Sequence, residues 1–587
     1  MSVIFLQGRK INKQKMNRMN KYLLVLFACS TLNAFSQEKR GADMPWTTYE
    51  AESMKTTGTV LGPKYTAFQV ETESSGQKCV KLSKAGQNVS FKSLKKANSI
   101  VIRFSLPDSP EGGGTTSTLG LYVNGKLVQP LNVSSKLSLL YGAYPFSNDP
   151  KLGKPRNFYD EIRLKDLKIN AGDQIKIQRD DVKGNTAEYC IIDLVDLEEV
   201  AAPLTAPENS LSILDFKGTN FDGDYTEPLK QCVGKAWESK KTVWIPAGTY
   251  KISGEIMVPA NMVIQGAGMW HTILVGNETD YADDPSRRLK FFGNGGNVLL
   301  SDFAIIGHLE HRADDEPNDG IVGSYGVNSK IQRIWIEHTK IGVWVENSKN
   351  LLVEGCRFRN TIADGVNFCV GMAESTMKNC TTRGTGDDCF AMWPATFLLN
   401  KFKPGNNVIT QCTGQLPFLA NGAAIYGGEN NKISNCLFTD ISPGSAILIS
   451  TTFPTEDPKT NNHFSGVTVI ENCDIKTSGG WDHSWDFRAA ISICMDRRGI
   501  PGIEIKNTNI ENSFSDGISV VTRGADSKGP ELTNATFKNV TITKSGIGAA
   551  DKHAIWIDNT ARGSVTIEQS KITDVKNESK NFTVTTK

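Results

Sequence analysis

Two short stretches of this 587-residue chain put aspartate beside glycine just ahead of an apolar run: "ADGVNF" (Ala363 to Phe368) and "GDDCFAMW" (Gly386 to Trp393). Asp364 and Asp388 are 24 residues apart, and Asp387 directly precedes Asp388. If each stretch belongs to one coil of a repeat, Asp364 and Asp388 share a column, with neighbouring coils ~4.8 Å apart. Carboxylates that crowded cannot all ionise with ease, so at least one is expected to hold its proton towards neutral pH. A carboxylic acid beside a carboxylate is the equipment of glycoside hydrolysis, where one protonates the leaving oxygen and the other activates water. Asp-Gly pairs are also ordinary turn chemistry. For either stretch alone a solvated turn is the simpler reading; two in one column, with Trp393 behind them, favour a site. Inverting carboxyls usually stand ~6.5–9.5 Å apart and retaining ones ~5 Å. Asp364 and Asp388 look close for inversion, whereas Asp387 with either could give the larger gap. The preferred assignment takes Asp388 as the acid and Asp364 with Asp387 as the water-activating side.

The elements that must hold these residues read as a repeat. From residue 216 to 587 short apolar stretches ("IGVWV", "GAAIYGG", "SAILIS", "AAISIC", "HAIWID") recur about every two dozen residues, separated by Asn- and Gly-rich turns. Without helical periodicity this is the pattern of a parallel β-solenoid. Cysteines fall inside the runs ("EGCRF", "KNCTT", "SNCLF", "ENCDI"), with no metal-ligand spacing, so they are expected to stack in the core as free thiols. Residues 45–200 instead alternate apolar and polar positions between Gly, Pro and Asn turns, as an antiparallel sandwich does. A Pro- and Ala-rich linker, 201–215, joins the two. The fold expected is all-β.

Residues 1–36 carry six Lys or Arg and no acid ahead of the apolar run Tyr22 to Phe27, the order of a secretory signal peptide. Met16 or Met19 could be the true start. "LFAC" before Cys29 weakly suggests lipid attachment, so the expected location is secreted or periplasmic, with a surface lipoprotein as the alternative. Without the leader, 59 basic residues face 63 acidic ones, a net of −4. That balance argues against nucleic acid and anionic membranes as partners.

Longer strings carry a resemblance. "IQRIWIEHTKIGVWVE" (Ile331 to Glu346), "TIADGVNF", "RGTGDDCFAMWP" and "PFLANGAAIYGGENN" (Pro417 to Asn431) together resemble glycoside hydrolase family 87, the secreted α-1,3-glucanases and mycodextranases. The resemblance implies a right-handed parallel β-helix after a jelly-roll sandwich, internal cleavage of α-1,3-linked glucan with inversion, no catalytic metal, and catalytic Asp364, Asp387 and Asp388. Glu346 and Glu429 stand where the family tends to have a shorter acid, so each reaches one methylene further. "WTTYEAES" and "YCIIDLVDLEEV" resemble the sugar-binding modules of carbohydrate-binding families 6 and 35. That second resemblance implies a structural calcium at Glu50, Glu52 and Asp193, chemistry that oxygen ligands suit.

Substrate contacts are expected from aromatic faces: Trp393, Tyr426, and the loop "GGWDHSWDFRAA" with Trp481, Asp482, His483 and Trp485. Glu346, Glu429 and His338 are further candidates, and the chain is expected to act on α-glucan as a monomer. "HLEHRADDEPNDG" (His308 to Gly320) reads best as a solvated loop. A polygalacturonase-like enzyme would need a histidine turn and an arginine strand for its uronate, and "ANGAAIYGG" supplies neither. A non-catalytic glycan-binding β-helix is the remaining alternative.

Overall fold

The computed structural model describes residues 39–144, 146–219, 221–482, 487–522 and 529–587. The leader, Cys29, His483 and Trp485 lie outside them.

Residues 46–198 form the sandwich. Its strand Cys190–Glu198 is buried along its whole length and pairs with Trp46–Glu50, Cys79–Leu82 and Ser99–Ser105 in one antiparallel sheet. Val80, Ile102 and Ile192 of that sheet share a core with Leu119, Leu121, Ile175 and Ile177 of the other. Because strand side chains alternate, Asp196 and Glu198 point out of this core, yet both are buried. What buries them is the second part of the chain.

That second part is a parallel β-helix, as the repeat predicts. Among the described residues its coils lay down three parallel sheets of 14, 11 and 12 strands. The first strand, Ser210–Ser212, lies inside the stretch that reads as linker, so the helix starts earlier than the composition shift indicates. An α-helix, Thr226–Ser239, turns Leu229, Cys232, Val233 and Ala236 onto the first coils and ends at Lys240 in the left-handed region, φ 54°. Along the solenoid, Ile331, Val353, Met377, Ile409, Ile433, Ile470 and Ile505 stack in register, all fully buried. Cys356, Cys380, Cys412, Cys436 and Cys473 sit at equivalent positions as buried free thiols. One corner of each coil is a single left-handed residue, at Asn379, Gln411, Asn435, Asn472 and Asn507 (φ 50–55°), a conformation asparagine tolerates better than most. The repeat spacing and the Asn-rich turns therefore have one cause.

Sandwich and helix meet through buried charge. Arg357 donates two hydrogen bonds to Glu198, at 2.7 and 2.8 Å. Arg383 grips Asp196 at 2.8 Å and also Glu161, and His338 meets Asp160 at 2.8 Å. The arginines of "RFR" and "TTRG" face outward from the solenoid, where the sequence pattern predicts solvent. They face the sandwich instead.

Candidate active site

Strand Val366–Phe368 pairs in parallel with Phe390–Met392, Val366 opposite Phe390. Counting back two residues on each side puts Asp364 and Asp388 in one column, and the next coil adds Asn421, since Phe390 lies opposite Ala423. Backbone bonds fix the corner: the Gly365 amide donates to the Asp388 carbonyl (3.0 Å) and the Gly386 amide to the carbonyls of Thr361 (2.8 Å) and Ala363 (3.2 Å). A Cβ on Gly386 would stand 2.0 Å from the Ile362 carbonyl oxygen, so glycine is required for this close approach. Asp387 follows from the turn, and one oxygen of each of Asp364, Asp387 and Asp388 lies within 4.8 Å of the others. Among the described residues no other three acids, histidines or cysteines converge in this way.

Their environments differ. Asp388 accepts from the Asn421 side chain (2.7 Å) and backbone (3.2 Å) and from the Tyr426 hydroxyl (2.9 Å). Burial and then the charge of Asp387 push its pKa up to about 7 against those bonds. Asp364 accepts from Asn367 (2.9 Å), and burial, then Asp387 and Asp388, raise it well above the usual carboxylate range. Asp387 is the most exposed of the three and forms an ion pair with Arg312 at 2.6 Å. A set of acids that holds protons unequally is the arrangement needed for general acid catalysis beside a base.

The acids sit in a cavity of about 510 Å³. Its walls include Trp344, Trp393, Tyr426, Phe397 and Phe453, with ring centroids 4.9–6.1 Å apart between neighbours. The indole N–H of Trp393 and the Oδ1 of Asn367 are buried without a protein partner, a donor and an acceptor at the cavity that a sugar hydroxyl could satisfy. Glu346 lines the same cavity beside the Trp344 N–H (3.3 Å), and burial raises its pKa. A second cavity, about 600 Å³, lies at the capping helix, where Asp224 caps the Thr226 amide (2.8 Å) and no comparable set of acids meets.

Other candidates stand elsewhere. His338 is buried against Asp160 in the interface with the sandwich, outside the cavity. Glu429 is not part of the cavity wall and pairs with Lys403 (2.9 Å). Trp481 packs on Phe487, centroids 3.9 Å apart, and Asp482 pairs with Arg488. Glu50, Glu52 and Asp193 lie in the sandwich, away from this cavity: Glu50 and Glu52 each have a carboxylate oxygen buried without a protein partner, burial and then the charges of Asp193 and Glu52 push Glu50 up to about 8, and the Arg103 guanidinium lies 2.5 Å from Asp193. Three contributors were missed. Asn421 was legible as the next member of the aspartate column. Arg312 was the one arginine in an acidic loop that reads as solvated, and Tyr144 comes from the sandwich with no signal linking it to the cavity.

Residues 43–200 match the family model described as "Alpha-1,3-glucanase catalytic domain D1", and residues 230–582 match "Alpha-1,3-glucanase catalytic domain D2". Among solved structures, the Agl-KA catalytic domain is 26% identical with a TM-score of 0.83, over 95% of this chain and 100% of that one. The catalytic unit of a thermostable GH87 α-1,3-glucanase from Streptomyces thermodiastaticus strain HF3-3 is 29% identical with a TM-score of 0.79, over 93% and 96%. A GH87 α-1,3-glucanase catalytic domain in complex with nigerose is 27% identical with a TM-score of 0.78, over 93% and 99%. No match was found among curated protein sequences. The fold, the convergent aspartates and both halves of the family model agree: this chain is a glycoside hydrolase and belongs to family 87, the α-1,3-glucanases.

Proposed function

We propose that the protein cleaves α-1,3-linked glucan internally, as an exported monomer, with Asp388 as general acid and Asp364 and Asp387 as the pair that takes the proton of the attacking water. One observation carries this reading. Solved GH87 catalytic domains with nigerose or tetrasaccharides include three aspartate-to-alanine variants, altered at positions spaced 23 and 1 apart, the spacing of Asp364, Asp387 and Asp388.

The chemistry follows from the surroundings. Asp388, protonated up to about pH 7, gives its proton to the glycosidic oxygen as the bond to the anomeric carbon breaks. Water attacks that carbon from the opposite face and loses its proton to the charge shared by Asp364 and Asp387, which inverts the centre. The acids immediately precede the fifth and sixth of the twelve strands described in their sheet, so a chain laid along the sheet can extend both ways, which supports internal cleavage. The cations of the cavity wall are spent within the protein: Arg312 on Asp387 and Asp314, and the Lys340 ammonium on the Glu316 carbonyl. A neutral glucan therefore fits better than a uronate. The basic, then apolar leader supports export, and lipid attachment at Cys29 is the alternative.

The close approach of the carboxyls favours a second reading, double displacement with retention, because ~5 Å is the usual retaining distance. Proton NMR during cleavage of α-1,3-glucan separates the two: β-anomer forming first supports inversion and α-anomer retention. Binding of glucan with no new reducing ends sinks the hydrolytic proposal.

A further inference from the structure

Arg312 leaves the solenoid on the loop between strands Ala304–Ile306 and Gly320–Ser324, and its side chain is only 5% exposed. Each nitrogen of its guanidinium has a destination. Nε donates to Asp314 Oδ1 (2.9 Å), Nη1 to the Gly386 carbonyl (3.0 Å), and Nη2 to both Asp387 Oδ2 (2.6 Å) and the Tyr144 hydroxyl oxygen (3.0 Å). The Tyr144 hydroxyl in turn donates to Asp314 Oδ2 at 2.6 Å, and its ring centroid is 4.9 Å from the guanidinium carbon. Tyr144 belongs to the sandwich; the other members belong to the β-helix.

We propose that Arg312 is a positioning residue for the hydrolysis, holding the Asp387 carboxylate and the Gly386 turn in one geometry, and that Tyr144 is the sandwich's contribution to that hold. The inference rests on the hydrolase reading above. A planar guanidinium that binds one backbone carbonyl and the adjacent side chain leaves Asp387 little rotational freedom, which a lysine's single point charge could not reproduce. The charged and titratable groups facing Asp387 are Arg312, Asp364, Asp388, Tyr144 and Tyr426. Arg312 is the cation among them. Without it, three carboxyls would meet with no counter-charge, and Asp387 would be free to swing out of line with the attacking water. Misplacement of such a group by about 1 Å can cost about 100-fold in rate.

The test uses the full chain and soluble α-1,3-gluco-oligosaccharides. Arg312→Met should lower kcat about 100-fold with little change in KM, and Arg312→Lys should recover about a tenth of the wild-type rate. Free guanidinium ion at millimolar concentration should partly restore Arg312→Met but not Asp387→Asn. Tyr144→Phe should cost less than Arg312→Met. A wild-type kcat in Arg312→Met, or a loss that matches its folded fraction and resists guanidinium, overturns the proposal. Should the wild type cleave no α-1,3-glucan, the functional reading falls separately, and a crystal structure of Arg312→Met still decides this one: a displaced Asp387 carboxylate supports it, an unmoved one overturns it.

Discussion

The Tyr426 hydroxyl donates to Asp388 Oδ2 from the following coil at 2.9 Å, so a residue one coil away helps set the proton affinity of this carboxyl. This bond favours the charged form of Asp388 and works against burial, which dominates and raises the group to about 7. Removing it with Tyr426→Phe should raise that value further. A hydrogen bond to a charged group contributes about 1.5–3 kcal/mol, so a shift of about one to two units is expected. In the kcat/KM profile the alkaline limb, where the acid loses its proton, should begin near pH 7 in the wild type and move upward in the variant. An unmoved limb would show that Asp388 is not the acid.

Replacing Asp388 by Asn keeps the shape and both Asn421 contacts within reach but removes the transferable proton. General acid assistance is worth about 100- to 10,000-fold, so kcat should fall by at least that lower figure while binding of gluco-oligosaccharide, followed by calorimetry, stays close to wild type. Since burial disfavours the ionised Asp388, the neutral amide should also leave the melting temperature at pH 8 equal or higher. A loss of binding as large as the loss of rate would instead make Asp388 a structural residue.

The aspartate column was legible because a solenoid converts sequence spacing directly into spatial register: 24 residues between Asp364 and Asp388 place them side by side in paired strands. The same logic predicts Asn421 and the stacked cysteines. It fails where the chain leaves the coils. Arg312 reaches Asp387 from a long loop whose path no repeat dictates, and Tyr144 arrives from another fold altogether. Arg357, Arg359 and Arg383 alternate like solvent-facing strand residues, and only the docked sandwich, with Glu161, Asp196 and Glu198, explains why charge lies buried there. His338, a candidate substrate contact by sequence, is for the same reason the partner of Asp160 across that interface instead.

Stability should fall as pH rises from about 5 to 9. Burial pushes Glu50 and Glu73 up to about 8, above the usual glutamate value, so between these values the native state holds protons that the unfolded chain has released. Each such group loses stabilisation as pH increases through the window. Burial alone would lower His338, but Asp160 reverses it and raises the group to about 9; its contribution is full below pH ~6.5 and is lost towards 9, the same direction. Glu161 acts oppositely: despite burial, Arg383 and Arg359 hold it low, so its contribution is present above the usual glutamate value and lost as pH falls through its lowered one. Thermal unfolding followed by circular dichroism should therefore show a maximum near pH 5–6. A melting temperature that climbs from pH 6 to 8 would contradict these assignments.

Arg383 is the strongest test of whether the sandwich is a removable module. It joins Glu161 and Asp196 in the sandwich, and all three side chains are at most 5% exposed. Deleting one member of a buried ion-pair network leaves charges with neither water nor partner, at a cost of about 3–5 kcal/mol. Arg383→Ala should lower stability by about that amount, and it should reduce hydrolysis of insoluble and soluble glucan alike, because the Tyr144 contact to Arg312 depends on the same docking. Arg383→Met combined with Asp196→Asn, which leaves Glu161 beside Arg359 and removes the stranded Asp196 charge, should recover part of the loss. Removing residues 43–200 outright would expose Arg357, Arg359, Arg383 and Trp335 together, and the remaining helix should be insoluble or inactive on short chains as well as long ones. A soluble, fully active helix after that deletion would make the sandwich an accessory to binding rather than part of the catalytic unit.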